Sequence, residues 1–563
     1  MSAASAGARW RVALALVLLG ALGLRLWGIR TGLPFVYNAD ENAHFVPRAI
    51  GMFGHSYDPG YFVNPPGYTY LLHVLFALRW GGEGVQDAFA ADPGDVFAVA
   101  RVMAAVLGTA AVGFLYLAGA RLFEDRRAGL LAAALLAVSF LPVFYSHFAL
   151  NDVPALAPLC LALVGVAGVL RRGRALDYAV AGLGIGIACA TKYTAGIVVV
   201  CLLAAAVAGS RPGGRVRGLF AAGGVALAAF LLGNPYALLD FDAFMDGLGK
   251  QSSASNDGGG KLGLTEDDGL RYYLSTLSWG FGWLPAGAAV GGAVGLSVRD
   301  RRAALVLVPA VVVFLIFMGS QDRFFARWLL PVFPLLCLLA AWGAVALADR
   351  VTSRPGPRSA VAGALGIALC AQGLIFSVHN GTVLAAADTR SLVRDWMRVN
   401  VPEGSKVVVE PVFPDQWATD PGNPSELTGN GARWVKWPTS RSQVNNDGTL
   451  RRGRGRLVEL EDYERTTRPR LVRAYVRSGY CWVVTGSTQY GRAYAEPDVV
   501  PNALRYYDEL RRRGEVVFRA SPYDDGAGSV PFSFDFSFNY HPLAYERPGP
   551  EIVVHRLRGA ACG

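Results

Sequence analysis

Two adjacent carboxylates, Asp40 and Glu41, lie in a short polar stretch, Tyr37 to Phe45, that follows the first long apolar run. Carboxylates at the edge of an apolar segment can act as a general base or bind a divalent cation through oxygen. Asn38, three residues before Glu41, has the spacing of a helix N-cap with its capping-box partner, which places both acids in a first turn. The helix dipole there favours an ionised Asp40. His44 follows Asp40 by four residues and shares its face, while Pro47 is expected to end or kink the helix. The same pattern also suits a capped interfacial helix without chemistry, so the other polar residues on that side matter.

Two further groups fall on the same side of the membrane. Asn151 and Asp152 sit between the third and fourth apolar spans, where Asp152 is a second carboxylate or an N-cap ahead of Pro154. Lys192 and Tyr193 end the fifth span, and Arg323 and Arg327 precede the tenth. Three cations together suit a phosphate group, for which Arg offers forked donors, although each alone also fits a snorkelling anchor. Neither the histidines nor the cysteines have zinc spacing; Asp40, Glu41 and Asp152 are the oxygen ligands on offer to a divalent cation, and the sequence leaves the need for a metal open. No phosphate-binding loop or dinucleotide fingerprint is present, which excludes an evident cytoplasmic nucleotide site.

The elements that must position these residues are membrane helices. Of 563 residues, 53% are hydrophobic and 17% charged, which predicts a polytopic α-helical membrane protein. The formal charge of +10 comes largely from arginines in short loops, as membrane topology requires, and does not point to nucleic acid. Eleven spans are expected, at about 10–29, 97–120, 128–146, 153–170, 176–191, 195–209, 218–234, 271–297, 303–319, 327–348 and 359–379. The first reads as an uncleaved signal anchor, and the close pair around Lys192 is the weakest point of the count. Arg9 and Arg11 place the N-terminus in the cytoplasm of a plasma-membrane protein, and five arginine-rich loops agree with that orientation. The first outer loop, about 30–96, contains a segment from Asn64 to Phe76 too short to cross, predicted to be re-entrant or interfacial.

Residues 1–380 therefore form the transmembrane part, and 381–563 a separate extracytoplasmic α/β domain. Strands are expected at Lys406–Glu410, Cys481–Thr485, Glu515–Phe518 and Glu551–His555, with helices at Leu392–Asn400 and Ala503–Arg513. Arg451–Arg456 is a basic run, read as a solvated loop. Five cysteines lie in apolar spans as packing residues; Cys481 and Cys562 in the outer domain are either disulfide-bonded or free.

Taken together, the signal anchor, the Asp40-Glu41 pair, Asn64-Pro-Pro-Gly, Asn151-Asp152, Thr191-Lys-Tyr193 and Leu330-Pro-Val-Phe-Pro334 resemble the membrane glycosyltransferases of the GT-C class. The group is that of the protein O-mannosyltransferases and the bacterial aminoarabinose transferases of lipid A (glycosyltransferase family 39-like). The resemblance covers roughly residues 10–380. It implies a polyprenyl-phosphate-linked sugar as donor, inversion at the anomeric carbon, and an extracytoplasmic glycan, lipid or protein acceptor. On it, Asp40 matches the family's first-loop catalytic acidic residue, Glu41 its neighbour and Asp152 the second outer carboxylate. Lys192, Tyr193, Arg323 and Arg327 then face the donor phosphate, and His44, Asn64 and Asn151 shape the acceptor side. Many relatives carry Lys or His where this chain has Asn64, so a contact made there is missing or supplied elsewhere. A polyprenyl phosphate leaves as a stabilised anion and needs cations, whereas the acceptor hydroxyl needs a base, the role expected of Asp40. A transporter or lipid flippase is the alternative, weakened by the absence of an internal repeat and by charges gathered at one face. A non-catalytic scaffold is a third reading.

Overall fold

The computed structural model describes residues 3–209, 214–256, 262, 268–418, 432–440, 458–459, 463–523 and 543–562. Among them, six helical stretches are long and apolar enough to cross a membrane: Pro93–Leu122, Arg215–Gly233, Gly269–Arg299, Arg301–Gly319, Ala326–Val351 and Gly356–Asn400. Shorter apolar helices run over Leu156–Arg171, Ala175–Thr191 and Tyr193–Ala208. Several begin at an aspartate that accepts from an otherwise unpaired backbone N–H. Asp92 takes Gly94 at 2.8 Å, Asp125 takes Arg127 at 2.8 Å, and Asp300 takes Ala303 at 3.1 Å.

Small residues let the helices approach closely, as suits packing in lipid. A Cβ at Gly165 would stand 2.3 Å from the backbone nitrogen of Ala181, and one at Gly182 would stand 2.3 Å from the carbonyl of Ala222. Helices Leu156–Arg171, Ala175–Thr191 and Arg215–Gly233 are therefore locked side by side.

The expected third span is broken. Helix Arg126–Val138 stops where Ser139 turns to ψ 125°, and a short helix, Phe140–Tyr145, resumes before the chain reaches Asp152. The break leaves carbonyls without helical partners, and buried Arg25 supplies them: it donates to Ala137 at 3.0 Å and Leu136 at 3.2 Å. Around Lys192 the chain forms helix Ala175–Thr191, an extended Lys192, a 3-10 turn over Tyr193–Ile197, and helix Val198–Ala208. The Asn64 segment opens helix Gly67–Trp80, whose Tyr68, Leu72 and Phe76 are buried.

The C-terminal region holds a five-stranded sheet in the order Val435–Lys436, Lys406–Val409, Trp482–Gly486, Ile552–Leu557, Gly514–Ala520. The first three strands are parallel and the last two pairings antiparallel. All four predicted strands and both helices are present, the helices as Thr389–Asn400 and Pro501–Arg513. Cys481 and Cys562 are joined by a disulfide, whereas Cys160, Cys201 and Cys337 are buried and unbonded. The Arg451–Arg456 run lies outside the described residues.

Candidate active site

Asn38 caps the turn as expected: its Oδ1 accepts from the backbone nitrogens of Asp40 and Glu41, each at 3.1 Å. The returning half of the capping box is absent, because Glu41 points elsewhere. Its carboxylate is fully buried and gripped by Arg101, Nε to Oε1 at 2.7 Å and Nη2 to Oε2 at 2.9 Å. The backbone nitrogen of Ala149 adds a third bond to Oε1 at 2.8 Å. Arg101 also donates to the carbonyls of Ile29 at 3.0 Å and Thr31 at 2.8 Å. Glu41 thus ties the first loop to helix Pro93–Leu122 and to the segment leading to Asp152. Residues Glu41–Phe45 form a π-helical turn, and Pro47 begins a further helix, Val46–Gly51, instead of ending the first.

Asp40 faces a cavity of about 1130 Å³, and so do His44, Asn64, Asn151, Asp152, Lys192, Tyr193, Arg323 and Arg327. Glu41, expected to work beside Asp40, does not line it. Arg327 Nη2 donates to Asp40 in a close charge-assisted contact, and Arg327 Nε lies 3.8 Å from Asp152 Oδ2. Lys192 Nζ donates to Asp152 Oδ1 at 2.5 Å. Asp152 does not cap the next helix, which starts at Leu156 behind Ala155. Lys192 is brought to it by the extended break after Thr191, where Asn151 Nδ2 donates to the Thr191 carbonyl at 2.8 Å. Arg323 and Arg327 both lie over the Phe325 ring, 5.1 and 4.6 Å from its centroid. Tyr193 donates its hydroxyl to the Phe62 carbonyl at 3.0 Å.

Burial pushes the Asp40 carboxyl up, but Arg327 first, then His44, Arg323 and Lys192, outweigh it and hold it below the usual carboxylate range. Asp40 is therefore anionic at neutral pH. His44 lies 3.9 Å from Asp40, and burial, which outweighs the pull of Asp40, keeps its pKa below the ordinary value. It stacks on Tyr61 at 4.7 Å, and Asn64 Nδ2 donates to the Tyr61 hydroxyl at 2.9 Å. Tyr61 was not legible from the sequence, since nothing in its spacing separates it from other loop tyrosines. Arg101 did leave a signal: a lone arginine inside an apolar span.

Among the described residues, no group of three His, Cys, Asp or Glu side chains is placed to hold a metal. Of Asp40, Glu41 and Asp152, the oxygen ligands on offer to a divalent cation, Glu41 is taken up by Arg101.

The cavity is roofed by the C-terminal region, whose Val412, Thr488, Gln489 and Arg492 also line it. The resemblance read from the sequence holds, and the chain carries the fold of the GT-C membrane glycosyltransferases. Residues 85–233 match the family model of dolichyl-phosphate-mannose-protein mannosyltransferases. The structure is similar to apo ArnT from Cupriavidus metallidurans, at 14% identity with 100% of both chains covered and a TM-score of 0.53. It is also similar to the apo oligosaccharyltransferase of Archaeoglobus fulgidus, at 14% identity over 93% of this chain and 75% of that one, with a TM-score of 0.51. The structure of Cupriavidus metallidurans ArnT bound to undecaprenyl phosphate matches at 14% identity, 100% of both chains and a TM-score of 0.48. A search of curated protein sequences finds no match.

Proposed function

We propose that the protein is an inverting glycosyltransferase that moves a sugar from a polyprenyl-phosphate donor to an extracytoplasmic acceptor. The observation that carries this reading is the cluster of Lys192, Arg323 and Arg327 beside Asp40 and Asp152 in one cavity. Three cations and two carboxylates leave one net positive charge, which suits a phosphodiester. ArnT, whose apo form shares this fold, has been crystallised with undecaprenyl phosphate, in keeping with such a donor.

In this mechanism the phosphate oxygens take the three cations, which stabilise the leaving polyprenyl phosphate. Asp40 removes the acceptor hydroxyl proton as the new bond to the anomeric carbon forms and the bond to the phosphate oxygen breaks; the proton ends on Asp40. Arg327 is the strongest of the charges that depress Asp40, so a phosphate that draws Arg327 away makes Asp40 more basic when the donor is bound. Asp152 holds Lys192 and Arg327 in place. Glu41 acts through Arg101 as a positioning residue, and Asn64, by way of Tyr61 and His44, shapes the acceptor side. The membrane part is taken as residues 1–380 and the outer domain as 381–563, with the N-terminus cytoplasmic and the site outside.

Transfer of radiolabelled sugar from polyprenyl-phosphate sugars to membrane extracts, by purified wild type and by Asp40→Asn, tests the reading. Transfer by wild type alone is expected; equal transfer by Asp40→Asn removes the base assignment.

A further inference from the structure

Glu41 and Arg101 fix the far side of the turn that carries Asp40. The near side is fixed by the C-terminal domain. Phe35 is packed in that domain's core with Val393, Met397, Trp417 and Trp434, and Arg394 lies over its ring at 4.7 Å. Two residues on, the Tyr37 hydroxyl is 3.0 Å from Ser391 Oγ, and the Arg390 guanidinium lies 3.8 Å from the centre of its ring. Gly32 packs against the same ring, where a Cβ would meet Tyr37 Cδ2 at 2.7 Å.

Arg390 is itself held rigid. Asp388 takes its Nε at 2.8 Å and its Nη2 at 2.7 Å, and the same carboxylate caps helix Thr389–Asn400. Asn38, the cap of the Asp40 turn, is the next residue after Tyr37. Any play in the Tyr37 ring therefore passes directly into the position of Asp40, and a displacement of about 1 Å at a reacting group can cost a hundredfold in rate.

We propose that the C-terminal domain is a positioning element of the active site, with Tyr37, held against Gly32 and Arg390, as the residue through which it sets Asp40. This rests on the reading of Asp40 as the base, so its test needs a readout that does not depend on transfer. Full-length protein in lipid nanodiscs is compared as wild type, Tyr37→Leu, Arg390→Ala and Tyr37→Phe. Three quantities are read: hydrogen exchange over residues 35–45, affinity for undecaprenyl phosphate, and sugar turnover. Tyr37→Leu and Arg390→Ala are expected to speed exchange over 35–45 at least tenfold and to lower turnover about a hundredfold. In Tyr37→Leu, affinity for undecaprenyl phosphate should stay within about twofold, because every cation that lines the cavity, Arg390 included, is untouched. Tyr37→Phe keeps the stack and should retain both the protection and most of the turnover. Wild-type exchange in both disruptive variants overturns the proposal, as does turnover lost with protection intact. Faster exchange in a protein that transfers no sugar at all sinks the glycosyltransferase reading and leaves the clamp supported.

Discussion

Asp40 and Glu41 are adjacent in the chain and opposite in circumstance. The Glu41 side chain has no exposure and meets Arg101, also buried, through two parallel hydrogen bonds. The Asp40 side chain is 42% exposed to the cavity and shares its arginine with Asp152. A buried, fully bonded pair costs several kcal/mol to break by removing one partner, so it is a fixture. A pair open to a cavity can be exchanged for a ligand. Two neighbouring carboxylates thus serve different ends: one holds the turn, and the other faces the cavity.

Four experiments press on that division. The largest effect is expected from Asp40→Asn, which should lower transfer by about 10³-fold or more while leaving the melting temperature unchanged, checked by turnover and thermal unfolding of the same preparation. Next comes Arg327→Gln, which removes one of the three cations proposed to hold the phosphate and should lower turnover by about 10²–10³-fold. The reverse pattern is expected from Glu41→Gln: stability falls by about 3–5 kcal/mol because Arg101 is left buried without its charge partner, read as a lower melting temperature and poor recovery. A soluble, wild-type-stable Glu41→Gln protein with no activity would instead give Glu41 a part in the chemistry. The smallest effect lies in the pH profile. Because Arg327 holds Asp40 below the ordinary carboxylate range in the free enzyme, kcat/KM should not fall from Asp40 protonation as pH drops from 7 to 5. In Arg327→Gln the carboxyl pKa rises, Asp40 protonates at higher pH, and the acid limb of the residual activity moves up.

Much of the site could be read from the chain because membrane topology does the sorting. On the expected topology, apolar runs and arginine-rich loops put Asp40, Asp152, Lys192, Arg323 and Arg327 on one face, and all five line one cavity. Contacts between residues far apart in the chain left no such trace. The Glu41–Arg101 pair spans 60 residues and the Tyr37–Ser391 contact 354, and neither has a spacing that secondary structure would reveal. The capping box misled for a local reason: the pattern of Asn38 and Glu41 is real, but an arginine in the next span offers Glu41 two charge-assisted bonds where the cap offers one. The break at Ser139 was hidden by an apolar run that continues across it, with Pro142 three residues past the break.

The bonds from Arg25 to Leu136 and Ala137 also bear on how the chain assembles during synthesis. Arg25 lies in the last turn of helix Ala3–Leu26, and the nearer of its two remote carbonyl partners lies 111 residues further on. Until that segment is made, the guanidinium lacks two of its three carbonyl partners, and burying it without them is costly. Helix Ala3–Leu26 thus seats among its neighbours only after the broken helix has been made, so a contact near one end of the chain is a late-closing joint of the finished fold.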